Sequence, residues 1–190
     1  MGLTLHSAPT ASDWVARWAA WLAPRARVLD FAGGSGRNLP PLLARGARVT
    51  LADRDASALA QARGRGIGGS GTLETLVCDL ENAPWPFESR RFDAVVCCNF
   101  LHRPRQDLLA MLVAPGGLLI QETFAQGNAR YGRPSNPGFL LRPGELARCA
   151  ERAGLVVLAF EHGFTPEPRP AMVQRVCAVR PPFDPERLPL

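Results

Sequence analysis

The chain contains no lysine; all 22 basic residues among its 190 are arginines. It also lacks any cluster of basic residues, any C-x-x-C pair, and any apolar stretch approaching the roughly 20 residues of a bilayer-spanning helix. Each absence removes a class of function. Dispersed guanidinium groups make a weak electrostatic footprint, so the formal charge of +5 and pI near 9.5 leave nucleic acid a disfavoured partner. Arginine is abundant together with Ala, Gly and Pro, which reads as base-composition bias in the gene. Cys78, Cys97, Cys98, Cys149 and Cys177 have no metal-ligand spacing and mostly lie in apolar runs, so neither a disulfide framework nor a metal site is expected. No membrane partner is expected either. Residues 1–9 lack the basic-then-apolar layout of a secretory leader, and a cytoplasmic protein is the expectation.

What is present is an ordinary globular composition, 46% hydrophobic and 21% charged, of a length that suits one domain. The domain is expected over residues 1–180, with a loose Pro-rich tail over 181–190. Ser12 and Asp13 can cap a helix over 12–22. Strands are predicted at 27–30, 48–53, 73–78, 94–98 and 118–122. Helices are predicted at 37–45, 56–63, from Pro104 onward, and at 143–153. Residues 64–71 read as a Gly-rich connector and 114–117 as a turn. Two last strands, 155–161 and 172–179, have no helix between them. Continuous apolar strands alternating with helices predict an α/β, Rossmann-like, doubly wound sheet. It is mostly parallel, with antiparallel pairing at one edge.

The run Val28-Leu29-Asp30-Phe31-Ala32-Gly33-Gly34-Ser35-Gly36-Arg37-Asn38 is the most informative segment. An apolar strand ends in an acid, then glycines, then a helix start. Glycines allow a sharp bend and close approach of a ligand to the backbone. In such sheets ligands bind beyond the carboxyl ends of the strands. The first four predicted strands each finish beside a polar residue, namely Asp30, Asp53, Asp79 and Asn99, and these would line one crevice. Leu39 stands where a dinucleotide fingerprint has its third glycine, which weakens a nicotinamide or flavin reading. Asp53 is suited to ribose hydroxyls and Asp79 to an adenine amine, so an adenosine ligand without a pyrophosphate accounts for both.

These residues resemble class I S-adenosylmethionine-dependent methyltransferases. Residues 30–36 resemble that family's first motif, with Ala32 in place of its first glycine. Residues 49–53, 78–80 and 92–99 resemble the motifs of the next three strands. Leu112-Val113-Ala114-Pro115-Gly116-Gly117 is similar to the approach to the fifth. The resemblance implies S-adenosyl-L-methionine as cofactor and methyl transfer as the activity. Ala32, Gly33, Gly34 and Gly36 would lie under its methionine part, and Asp30 would organise that loop or meet the amino group. Asp53, with Arg54 beside it, would hold the ribose, Asp79 and Leu80 the adenine. Asn99 and Phe100 would sit by the methionine end.

On the acceptor side, His102 is a candidate base near neutral pH, and Arg103 a candidate contact for an acidic acceptor. The long segment 123–141 carries Tyr131 flanked by Arg130 and Arg133, and reads as a lid in which Tyr131 acts and Arg133 binds substrate. The end of the fifth strand and the Pro-rich loop before Leu140 are similar to small-molecule methyltransferases of the tellurite-resistance type. A small-molecule acceptor is therefore the expectation. An RNA or protein methyltransferase of the same fold, or a catalytically silent partner subunit, is the alternative.

Overall fold

Strands that are apolar along their whole length need cover on both faces, and the chain supplies it. The computed structural model describes residues 10–65 and 68–187. The leader reading of residues 1–9, positions 66–67 of the Gly-rich connector and residues 188–190 of the tail lie outside the described residues. Seven strands form one sheet in the order β3-β2-β1-β4-β5-β7-β6. They are β1 (Arg27–Phe31), β2 (Arg48–Asp53), β3 (Thr72–Val77), β4 (Phe92–Cys98), β5 (Val113–Phe124), β6 (Val156–Thr165) and β7 (Ala171–Val179). The first five strands pair in parallel. Strand β7 pairs antiparallel with both β5 and β6, so the reversed strand lies one place in from the edge. The α/β, mostly parallel architecture with antiparallel pairing at one edge is as predicted.

One face is covered by α1 (Asp13–Ala19), α2 (Leu39–Ala44) and α3 (Ala56–Gly64). Its core joins Trp14, Trp18, Leu42 and Leu59 to Val28, Val49 and Ile120. The other face carries α4 (Gln106–Met111) and α5 (Glu145–Arg152), whose Leu109 and Leu146 pack with Leu29, Phe31, Val95 and Leu119. The Ser12 hydroxyl caps α1, accepting from the Val15 N–H, which satisfies one of the helix's free donors. No helix among the described residues is long and apolar enough to cross a membrane.

Of the boundaries that differ from prediction, three have a plain physical reason. Helix α2 begins at Leu39, since Gly36 takes φ +75° and Pro40 and Pro41 fill its first turn. Pro104 sits in a 3₁₀ turn, Arg103–Arg105, before α4. The expected turn at 114–117 lies inside β5, where pairing passes from Phe92↔Val113 to Ala94↔Leu118 through a bulge. A Cβ at Gly117 would stand 2.9 Å from the carbonyl oxygens of Ala114 and Asp93, so the bulge closes only around a glycine.

Candidate functional site

Strand β1 lies inside the sheet between β2 and β4, and the backbone bends sharply as it leaves. Ala32 and Gly34 both take φ +56° and Gly36 +75°, a region costly for a residue with a side chain. At Gly33 a Cβ would meet Leu51 Cδ1 at 2.4 Å and Asp30 Cγ at 2.7 Å, so no other residue fits without displacing the core. Gly36 is tight for another reason. Its Cβ would strike Leu39 Cδ1 at 2.4 Å, so this glycine serves the packing of α2. The bend encloses a cavity of about 240 Å³ lined by Asp30, Ala32, Gly33, Gly34, Arg37, Cys98 and Asn99 among others.

Asp30 lies beneath this bend and is fully buried. Neither carboxylate oxygen has a hydrogen-bond partner among the described residues. A buried charge without a partner is strongly disfavoured. Burial raises the Asp30 pKa to about 7, partly opposed by the Arg37 guanidinium and reinforced by Asp53. Such an unsatisfied carboxyl in a native fold marks a site that expects a cationic or donor group.

Asp53 ends β2 and braces the bend. Its Oδ2 accepts from the Gly34 N–H at 2.8 Å, and its Oδ1 from the Asp55 N–H at 2.9 Å. Arg54 is exposed and reaches Glu81 Oε2 at 3.5 Å. Asp79 follows β3 and accepts from the backbone N–H groups of Glu81 and Asn82 and from the Asn82 side chain. Those bonds hold its carboxyl below the usual range. The Cys78 thiol is raised first by burial and then by the Asp53 and Asp79 carboxylates. Leu80 is buried and its carbonyl accepts from Arg105.

The acceptor-side residues divide. Asn99 takes φ +56° and lines the glycine-bend cavity. Phe100 packs edge-on against Phe31, ring centroids 5.5 Å apart. His102 precedes the 3₁₀ turn with no side-chain capping bond. Arg103 is turned onto its own chain. It donates to Glu145 Oε1 at 2.6 Å and Oε2 at 3.0 Å, to the Gly138 carbonyl at 2.6 Å and to the Leu140 carbonyl at 2.9 Å. All three of its guanidinium nitrogens are thus engaged, and they clamp the loop before α5. Tyr131 stacks on Phe164 of β6 at 5.0 Å and is 44% exposed. It does not line the glycine-bend cavity. Arg133 lines a separate cavity with Pro134, Asn136, Phe139 and Arg169.

Sequence reasoning missed a charged array beside the bend. Glu122 on β5 and Arg175 on β7 are cross-strand neighbours, as are Arg175 and Glu161 on β6. Arg175 Nε donates to Glu122 Oε2 at 2.6 Å and its NH1 to Glu161 Oε2 at 3.2 Å. Arg37 reaches the other oxygen of Glu122 at 3.7 Å. The only signal available was opposite charge on the last three strands, which acquires meaning once register is known.

Strand order, the glycine bend at the end of β1 and the antiparallel pairing at one edge make a Rossmann-like fold similar to that of class I methyltransferases. Residues 28–117 match the family model described as methyltransferase domain, and the resemblance drawn from the sequence is borne out. Among solved structures, the fold is similar to TehB from Haemophilus influenzae (TM-score 0.74, 18% identity), covering 92% of this chain and 64% of that one. It is similar to a TehB-like SAM-dependent methyltransferase from Corynebacterium glutamicum (TM-score 0.63, 19% identity, 88% and 87% covered). It also matches magnesium protoporphyrin IX methyltransferase from Synechocystis, determined with bound S-adenosylhomocysteine (TM-score 0.67, 20% identity, 87% and 81% covered). This chain thus spans less than two thirds of the H. influenzae protein. None of the curated proteins matches it by sequence.

Proposed function

We propose that the protein is a methyltransferase that binds S-adenosyl-L-methionine at the glycine bend and acts on a small-molecule acceptor. The observation that carries this reading is the Asp30 carboxyl, buried without a hydrogen-bond partner among the described residues, in a residue that lines the glycine-bend cavity. The residues present fit the cofactor. An amino-acid ammonium supplies the missing partner for Asp30, and the bare backbone at Gly33 and Gly34 leaves room for a chain laid against it. Asp53 retains free lone pairs for ribose hydroxyls, since a carboxylate offers about four acceptor sites. Asp79 and the Leu80 backbone are assigned to the adenine, and Asn99 and Phe100 to the methionine end.

When bound, the cofactor supplies an electrophilic methyl group on a sulfonium. The chain then has to position the acceptor and keep water away. Phe100, packed on Phe31, and the partly buried Trp85 form the apolar side of this region. His102, free of capping bonds, is the base we assign where the acceptor must lose a proton. Tyr131 is assigned to the loop that covers the acceptor.

Calorimetry with S-adenosylhomocysteine, S-adenosylmethionine and NAD tests the reading. The first two are expected to bind and NAD to give no heat. Binding of NAD alone would overturn it.

A further inference from the structure

The glycine-bend cavity shares lining residues with a second space, and that space shares one with a third. Arg37 and Asn99 line both the bend and a narrow cavity of about 60 Å³. Arg169 lines that narrow cavity and also the outer one of about 480 Å³ that holds Arg133. The outer volume suits a small molecule rather than a polymer.

The arginines of these three spaces differ in their partners. Arg37 and Arg175 are held by Glu122. Arg133 and Arg169 have neither a carboxylate nor a hydrogen-bond acceptor among the described residues. Arg169 instead lies over the Phe124 ring, 5.4 Å from its centroid. Stacking fixes the plane of a guanidinium and leaves its N–H edge free for a planar oxyanion. Both guanidinium groups are exposed and line one cavity, so an anion bound there would meet two of them. Glu122 and Glu161 both face Arg175, and Glu167 lines the narrow cavity. Phe139 and Pro134 give the outer cavity an apolar wall.

Resting on the methyltransferase reading, we infer that the acceptor is a small apolar carboxylate, held through its carboxylate by Arg133 and Arg169. The test uses the intact protein, with and without saturating S-adenosylhomocysteine, titrated with benzoate and phenylacetate, their amides, and phenyl phosphate. The carboxylates should bind at least tenfold more tightly than the amides. The double variant R133Q/R169Q should lose that preference while keeping its affinity for S-adenosylhomocysteine. Equal binding of acid and amide, a preference that survives in the double variant, or tighter binding of the phosphate would overturn the inference. Failure of S-adenosylhomocysteine to bind, with the carboxylate preference intact, would remove the cofactor reading and leave the anion site standing.

Discussion

Asp30 sets the pH behaviour of this molecule. Its carboxyl titrates near 7 in the folded chain, first because it is buried, against about 4 in an unfolded one. The folded form therefore holds its proton more tightly. The resulting stability is fully present below pH 4 and is lost as pH rises to 7, on the order of 4 kcal/mol in all. Urea denaturation of the wild type and Asp30→Asn at pH 5 and pH 8 should show the variant gaining relative stability at the higher pH. A constant difference would count against an unpartnered carboxyl. Ligand binding should move the opposite way. Between pH 7 and 5.5, wild-type affinity for S-adenosylhomocysteine should fall by up to tenfold per pH unit, whereas Asp30→Asn should bind weakly and without that slope. Asp53→Ala removes the acceptor that braces Gly34 and should weaken the same binding by about 1–3 kcal/mol, as for hydrogen bonds to a charged group. Unchanged calorimetric affinity would remove Asp53 from the site.

At the scale of elements, the bend between β1 and α2 works because of steric room. Gly33→Ala puts a methyl 2.4 Å from Leu51, and overpacking of this kind costs about 1–3 kcal/mol. Thermal denaturation should register that loss, accompanied by weaker cofactor binding. The clamp by Arg103 belongs to the same scale. It joins the 3₁₀ turn before α4 to the loop before α5 through Glu145, Gly138 and Leu140. Burial pushes the Glu145 carboxyl up, but Arg103 and the Arg142 N–H outweigh it and hold the pKa below normal. Arg103→Ala should destabilise the fold by about 1–2 kcal/mol, less than four bonds suggest because the guanidinium is partly exposed. Hydrogen exchange should then quicken over residues 136–145 while S-adenosylhomocysteine affinity stays within twofold. A large loss of affinity would return Arg103 to the binding site.

At the scale of the whole molecule, ligand binding at the end of β1 would show as added stability. A ligand that binds only the folded chain at 100 times its Kd adds about 2.7 kcal/mol. For a chain of this length that corresponds to a rise in Tm of about 5–10 °C. S-adenosylhomocysteine should produce such a rise and NAD none. A shift with NAD alone would argue for a different cofactor.

The apolar strands, their alternation with helices, the Ser12 cap and the acid-glycine bend were all legible in the sequence. Each depends on neighbours within a few residues, where periodicity and backbone freedom leave a local record. The same holds for Asp30, Asp53, Asp79 and Asn99, which mark strand ends wherever the strands are placed. The bulge that absorbs residues 114–117 into β5 was not legible, since it follows from pairing with β4. Nor was the fate of the arginines. Arg103, Arg37 and Arg133 look alike in a chain with no lysine, yet one grips a loop, one faces Glu122 and one has no acidic partner among the described residues. A long charged side chain finds its partner through space, and residues as far apart in sequence as Glu122 and Arg175 meet only when strand order and register bring them together.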